Sequence, residues 1–217
     1  LSDMKSNSSP SCVMTMHGWG LSKTKCMEFQ DISIMNRSDK VVVLNRSGRE
    51  SLKSKGVDNQ LLQIIPNGIV GNMPSTVPDK CRKSDHLRLL CIGDLGERKN
   101  QKLLAKAVEN LNQQGLKCMA TFVGKEGDKG YFRNKILAHA SSDSVEWLGY
   151  YEEAQRLIPY YDAVVLPSRS EGLPIVILES FRAGVPFIGS NIPEISDVIE
   201  HRVNGYLFDY QNVESLI

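Results

Sequence analysis

DAVVLPSRSEGLPIVILESFRAGVP, residues 162–186, reads as a buried strand, a turn and an apolar helix in direct succession. Ala163, Val164, Val165 and Leu166 form a short apolar run ended by Pro167 and Ser168, as expected of a strand covered on both faces. Pro174 suits a first helical position, Ile175, Ile177, Leu178 and Phe181 supply an apolar helix, and Gly184 offers a stop. Gly172 allows the tight backbone that such a turn needs. A strand-to-helix turn presents unpaired backbone N–H groups and the positive end of a helix dipole, which together favour phosphate. Glu171 and Glu179 stand eight positions apart, one in the turn and one in the helix. Glu179 lies roughly 7.5 Å beyond Pro174 along the axis, at about 1.5 Å per residue. The two carboxylates can therefore accept hydrogen bonds from separate hydroxyl clusters of one ligand, such as a sugar joined to a nucleotide.

Outward from this stretch, strands and helices alternate from Leu87 onward, which predicts a parallel sheet with right-handed crossovers. LRLLCI, 87–92, and MATFVG, 119–124, are strands, and Leu103, Leu104, Ala107, Val108 and Leu111 make one apolar helical stripe between them. Upstream, VMTMHG, 13–18, and KVVVL, 40–44, are strands with a helix around 27–35 between them. A short charged helix, 47–55, then leads to a third strand in LLQIIPNGI, 61–69, closed by a Pro-Asn-Gly turn. The stretch 69–85 holds Gly71, Pro74 and Pro78 and few paired apolar positions, as a linker does. The expected organisation is the C-terminal part of a first domain over 1–67, a linker over 68–86, and a second α/β domain over 87–217. The chain opens on Leu1 and ends at Ile217 a few residues into a new helical pattern, so the reading is of a fragment of a two-domain protein.

Composition narrows the function classes. The chain has 217 residues, enough for a full core, and its 41% hydrophobic and 24% charged content is ordinary for a globular protein. A net charge of +1, with no basic block and no interleaved aromatic and basic surface, argues against nucleic acid as a partner. There is no run of 18 apolar residues and no signal-peptide pattern at the start. Five cysteines, at 12, 26, 81, 91 and 118, lack metal-type spacing and are expected to be buried free thiols in a reducing cytoplasm. Four dispersed histidines form no zinc set, and no metal or other cofactor is expected. No GxSxG elbow and no Walker A loop occur.

Ligands of open α/β sheets bind beyond the carboxyl ends of the strands, and the remaining polar candidates fall there. In GDLGERKN, 93–100, Lys99 stands at the start of the following helix, where its charge opposes the dipole unless a diphosphate is bound. His17 and Gly18, Trp19 and Gly20 end the first strand. GKEGDKG, 124–130, lacks GxGxxG spacing and reads as a loop in which Gly124 is the one residue placed to approach a nucleotide.

Taken in order, VMTMHG, DKVVVLNRSGRESL, IIPNGI, LLCIGDLGERKNQKLLAKA, WLGYY, LPSRSEGLPIVILES, AGVPFIGSNIPEI and NGYLF resemble the retaining glycosyltransferases called group 1 over nearly the whole chain. That resemblance implies the GT-B architecture, two facing Rossmann-like domains with parallel sheets and helices on both faces, the first domain being incomplete here. It implies transfer of a sugar from a nucleotide sugar to a hydroxyl of a glycan, lipid-linked or small-molecule acceptor, with retention of configuration. It gives Glu171, His17 and Lys99 catalytic roles, with His17 facing the donor sugar and Trp19 near the acceptor. Glu179 takes the ribose, and Gly172, Leu173, Pro174 and Ile175 line the donor turn. Tyr151, in WLGYY, is placed near the base. The family carries an arginine where this chain has Asp94, a charge reversal for which neighbouring Arg98 is the replacement. The protein is expected in the cytoplasm, with contact to the inner face of the membrane through the rest of the first domain as a further option. An epimerase acting on nucleotide sugars and a non-catalytic binding module are the alternatives that the same scaffold admits.

Overall fold

The computed structural model describes residues 11–17, 23–71 and 85–217. Gly18, Trp19, Gly20, Pro74, Pro78 and Cys81 lie outside them. The backbone groups into two units, Leu1–Asn67 with Glu171–Leu173, and Gly68–Ser170 with Pro174–Ile217.

The first unit contains three parallel strands, β1 (Val13–Met16), β2 (Lys40–Val43) and β3 (Leu62–Ile64), in the order β1-β2-β3. Helix α1 (Lys25–Met35) connects β1 to β2, and α2 (Arg46–Ser54) connects β2 to β3. Both helices start on side-chain caps: Thr24 accepts from the Met27 N–H, and Asn45 from the Gly48 N–H at 2.8 Å. Met35, Val41, Val43, Leu52, Val57 and Leu62 form the core of this unit.

The second unit is a six-stranded parallel sheet: β4 (Leu87–Ile92), β5 (Cys118–Val123), β6 (Val145–Trp147), β7 (Ala163–Leu166), β8 (Phe187–Ser190) and β9 (Tyr206–Phe208). Their order is β6-β5-β4-β7-β8-β9. The chain thus runs outward from β4 in one direction, returns to β4's other side at β7, and runs outward again. This is the doubly wound Rossmann order, whose topological switch lies between β4 and β7.

Alternation of side chains sorts the strands onto two cores. Leu89, Cys91, Ala163 and Val165 pack on one face with Leu104 and Val108 of α3 (Gln101–Gln113). Leu90, Val164 and Leu166 pack on the other with Val176 and Ile177 of α4 (Ile175–Ala183). A side chain such as Phe122, fully buried in the first core, contributes roughly 1.5–3 kcal/mol relative to exposure. The apolar run at 163–166 therefore forms a strand because both its faces are covered.

Several connections depart from the expected alternation. Between β5 and β6 the chain makes a π-helical turn, Phe132–Ile136, and between β6 and β7 a 3-10 helix, Ala154–Tyr160. Pro159 sits inside the latter, and its missing N–H cannot support a regular α-helix. Between β8 and β9 only one turn, α5 (Pro193–Ser196), is helical. A 3-10 turn, Val213–Ser215, stands where the final helical pattern began. Pro174 is not the first helical residue but the N-cap, with φ −66° and ψ 113°, an extended geometry that leaves Ile175 to open α4. The cysteines also divide: Cys91 and Cys118 are buried, Cys118 with its thiol pushed up to about 11 by burial, whereas in the first unit Cys26 on α1 is exposed and Cys12, just before β1, is half-buried. No helix among the described residues is long and apolar enough to cross a membrane.

Candidate functional site

The switch point is built by two loops, 93–100 after β4 and 167–174 after β7. They are tied together. The Arg169 N–H donates to the Arg98 carbonyl at 2.8 Å, and the Arg98 guanidinium donates to the Ser170 carbonyl at 2.9 Å. Arg98 is thus joined to the β7 loop rather than swung toward residue 94. Buried Gln101 holds the β4 loop from inside, its amide nitrogen donating to the Asp94 carbonyl at 3.0 Å and its oxygen accepting from the Gly96 N–H at 3.2 Å.

Lys99 precedes α3 by two positions. Asn100 caps the helix in the left-handed region, φ 56°, a conformation that asparagine tolerates better than most residues. The Lys99 side chain lies over Gly93, where an added Cβ would stand 3.4 Å from Nζ. A cation is therefore held directly above the end of β4. Asp94 is exposed, and its carboxylate accepts from the Lys125 N–H at 3.0 Å, joining the β4 and β5 loops. The residue at the family's arginine position here fastens two loops together.

Gly124 ends β5 with φ 152°, and a Cβ there would stand 2.3 Å from the Gly93 carbonyl oxygen. Glycine is required at 124 by this close approach of backbone to backbone. Beyond it, the Trp147 indole N–H donates to the Gly124 carbonyl, and Lys125 Nζ sits 4.8 Å above the Tyr150 ring. Tyr151, beyond the end of β6, is exposed.

On the other loop, Glu171 precedes α4 and Glu179 lies inside it, as the spacing predicts. No side chain caps the first turn of α4. Leu173 and Pro174 are buried, and Ile175 is exposed. Glu179 is half-buried, and burial raises its carboxyl above the ordinary range, opposed in part by Arg182. No hydrogen bond or ion pair reaches its carboxylate among the described residues. Arg182, one turn on, spends its guanidinium on the Val70 and Gly71 carbonyls at 2.8 and 2.9 Å. Half-burying a carboxylate without a partner costs folding free energy, and an acceptor left open in this way suits ligand hydroxyls. Ser168, fully buried after β7, likewise has a hydroxyl with no partner among the described residues.

In the second unit the fold thus brings Lys99, Arg98, Asp94 and Gly124 to the carboxyl ends of β4 and β5, with Glu179 on the helix after β7. Within the first unit the Gly172 carbonyl accepts from Asn45 and the Leu173 carbonyl from Asn67. His17 is exposed after β1. Sequence reasoning missed Asn100, Gln101 and Arg182. Gln101 had a visible signal: with Leu104, Ala105 and Val108 it occupies the buried stripe of α3, where a polar residue must have an internal partner. Among the described residues no group of histidine, cysteine, aspartate or glutamate side chains is arranged to hold a metal ion.

The family model for glycosyl transferases group 1 matches residues 77–217. An uncharacterized glycosyltransferase of Haemophilus influenzae is 25% identical over 181 residues, covering 82% of this chain and 50% of that protein. The UDP-Gal:alpha-D-GlcNAc-diphosphoundecaprenol alpha-1,3-galactosyltransferase of Escherichia coli is 25% identical over 230 residues, covering 96% of this chain and 58% of that protein. The chain spans about half the length of these curated relatives. Among solved structures, HepE of Anabaena in complex with UDP and glucose superposes with a TM-score of 0.84 at 21% identity, over 94% of this chain and 59% of that one. The α/β fold is of the GT-B type, and the chain belongs to the group 1 glycosyl transferases.

Proposed function

We propose that this chain carries the donor-binding part of a glycosyltransferase that moves a sugar from a nucleotide sugar to an acceptor hydroxyl with retention of configuration, in polysaccharide or glycoconjugate synthesis. The observation that carries the reading is Glu179, a half-buried carboxylate with no hydrogen bond or ion pair among the described residues, on the helix that follows the switch-point strand. It accepts the ribose hydroxyls. Lys99, fixed over Gly93, and the uncapped first turn of α4 supply positive charge to the diphosphate. These groups offset the charge of the leaving phosphate, so the reading requires no metal ion. Tyr151 stands near the base, and Gly172, Leu173, Pro174 and Ile175 form the turn beside the sugar. Glu171 and His17 keep the sugar-directed roles that the family resemblance gives them. The departing phosphate assists removal of the acceptor proton, and the protein supplies orientation and electrostatic stabilisation.

UDP is the first candidate, because the Escherichia coli relative is named for UDP-Gal and HepE was solved with UDP and with UDP-glucose. A glycan, lipid-linked or small hydroxyl compound serves as acceptor. Calorimetric titration of the 217-residue protein with UDP and GDP tests the donor site. Saturable binding of one of them that is weakened by Glu179→Ala supports the reading, and binding of neither removes it.

A further inference from the structure

A cleft of about 520 Å³ lies in the second unit, lined by Asn100, Lys102, Leu103, Lys106, Arg169, Tyr210 and Gln211. Three of its walls are cationic and none is acidic. Lys102 and Lys106 are four residues apart on one face of α3, a like-charge spacing that weakens a helix unless something offsets it. A single carboxylate does so in part: Glu97 contacts Lys102 at 2.7 Å and Arg169 at 3.9 Å, and is held below its ordinary range chiefly by the Lys102 hydrogen bond. Lys106 has no hydrogen bond or ion pair among the described residues. Nearby, His139 is held below its ordinary value first by burial and then by Lys106, Lys102 and Lys135.

We infer that this cleft is a binding site for a phosphate monoester, distinct from the donor site proposed above. Three cations against one carboxylate leave a net charge of about two, which matches a phosphate dianion near neutral pH. The Asn100 amide is already used, donating to the Tyr210 carbonyl at 3.2 Å, so the cation side chains make the primary contacts. A cleft of this volume holds more than bare phosphate, and the body of the ester lies against Tyr210 and Gln211. The site shares a loop with the proposed donor site: Arg169 donates to the Arg98 carbonyl through its backbone and also lines this cleft.

The chemistry is common to a soluble phosphorylated metabolite and a phospholipid headgroup, and two arms of one experiment separate them. The 217-residue protein is titrated with inorganic phosphate and with glycerol 3-phosphate at constant ionic strength while backbone amide shifts are followed by NMR. Saturable shifts at residues 102–106 and at Gln211 are expected, weakened about tenfold in Lys106→Ala but retained in Lys99→Ala. The amide spectrum itself shows that each variant is folded. In parallel, the protein is sedimented with vesicles of phosphatidic acid or of phosphatidylcholine. Sedimentation with the former alone, lost in Lys106→Ala, identifies a headgroup, whereas saturable shifts without sedimentation identify a soluble ester. Shifts confined to residues 93–99, or a response that chloride reproduces, together with no Lys106-dependent sedimentation, overturn the inference. Loss of donor binding in the Lys99→Ala protein leaves this second readout intact, so the two readings fail separately.

Discussion

At Glu179, stability and the proposed ribose contact pull in opposite directions. Burial raises its folded-state pKa, so the unfolded chain gives up this proton at a lower pH than the folded one. The native state therefore loses stability, relative to a neutral side chain, as pH rises from the ordinary glutamate range through the raised folded value. Glu179→Gln should melt at a higher temperature than the parent at pH 7 and at the same temperature near pH 3. A difference that does not change with pH would contradict the assignment. The carboxylate is nonetheless the better acceptor for a diol, so Glu179→Ala should lose roughly 1.5–3 kcal/mol of nucleotide binding by calorimetry. Lys99 predicts a different pattern. Its charge stands over Gly93 at the end of β4, so Lys99→Ala should weaken nucleoside diphosphate about tenfold while nucleoside affinity holds, and equal losses would place the lysine elsewhere. The positions of Glu171, Glu179 and Lys99 were legible because each is read from a strand end or a helix start. The Asp94 bond to Lys125 and the Arg182 bonds to Val70 and Gly71 were not, because they join segments far apart in the chain.

The strands were legible where burial leaves a mostly apolar run, as at β2, β4, β5 and β7, α3 by its apolar stripe, and α4 by an apolar run that ends in a recognised stop. Gly184 caps α4 at φ 66°, the left-handed geometry that glycine adopts without strain. The connections from β5 to β7 were misread because their apolar residues answer to tertiary packing rather than helical period: Phe132 stacks on Trp147, and Ile136 is fully buried in the turn between. The join of β4 to β5 was also hidden, since only coordinates show that Gly124 has no room for a Cβ. Gly124→Ala places that atom against the Gly93 carbonyl in a backbone region hostile to L side chains, and it should destabilise the second unit by about 1–3 kcal/mol. Because Gly93 must shift beneath Lys99, diphosphate affinity should fall as well. Chemical denaturation measures the first effect and calorimetry the second; an unchanged midpoint would mean the two strand ends do not meet as described.

The two units differ in how much apolar surface they bury. Among the described residues the first has three strands and one small core around Met35, Val41 and Leu52, whereas the six-stranded sheet of the second is covered on both faces by separate cores. Three short strands with a single core lie near the lower limit of what folds independently, since hydrophobic stabilisation scales with buried area while the entropy of ordering scales with length. Local opening of the first unit should therefore require less free energy than opening of the second. Hydrogen exchange followed by mass spectrometry should show amides of β1, β2 and β3 exchanging before those of β4, β5 and β7. A nucleoside diphosphate bound by Lys99 and Glu179 stabilises only the state in which those groups are folded. Added ligand should accordingly slow exchange most in residues 93–100 and in α4. Uniform protection across both units without ligand would show that they open as one cooperative body, and ligand protection confined to β1–β3 would place the donor site in the wrong unit.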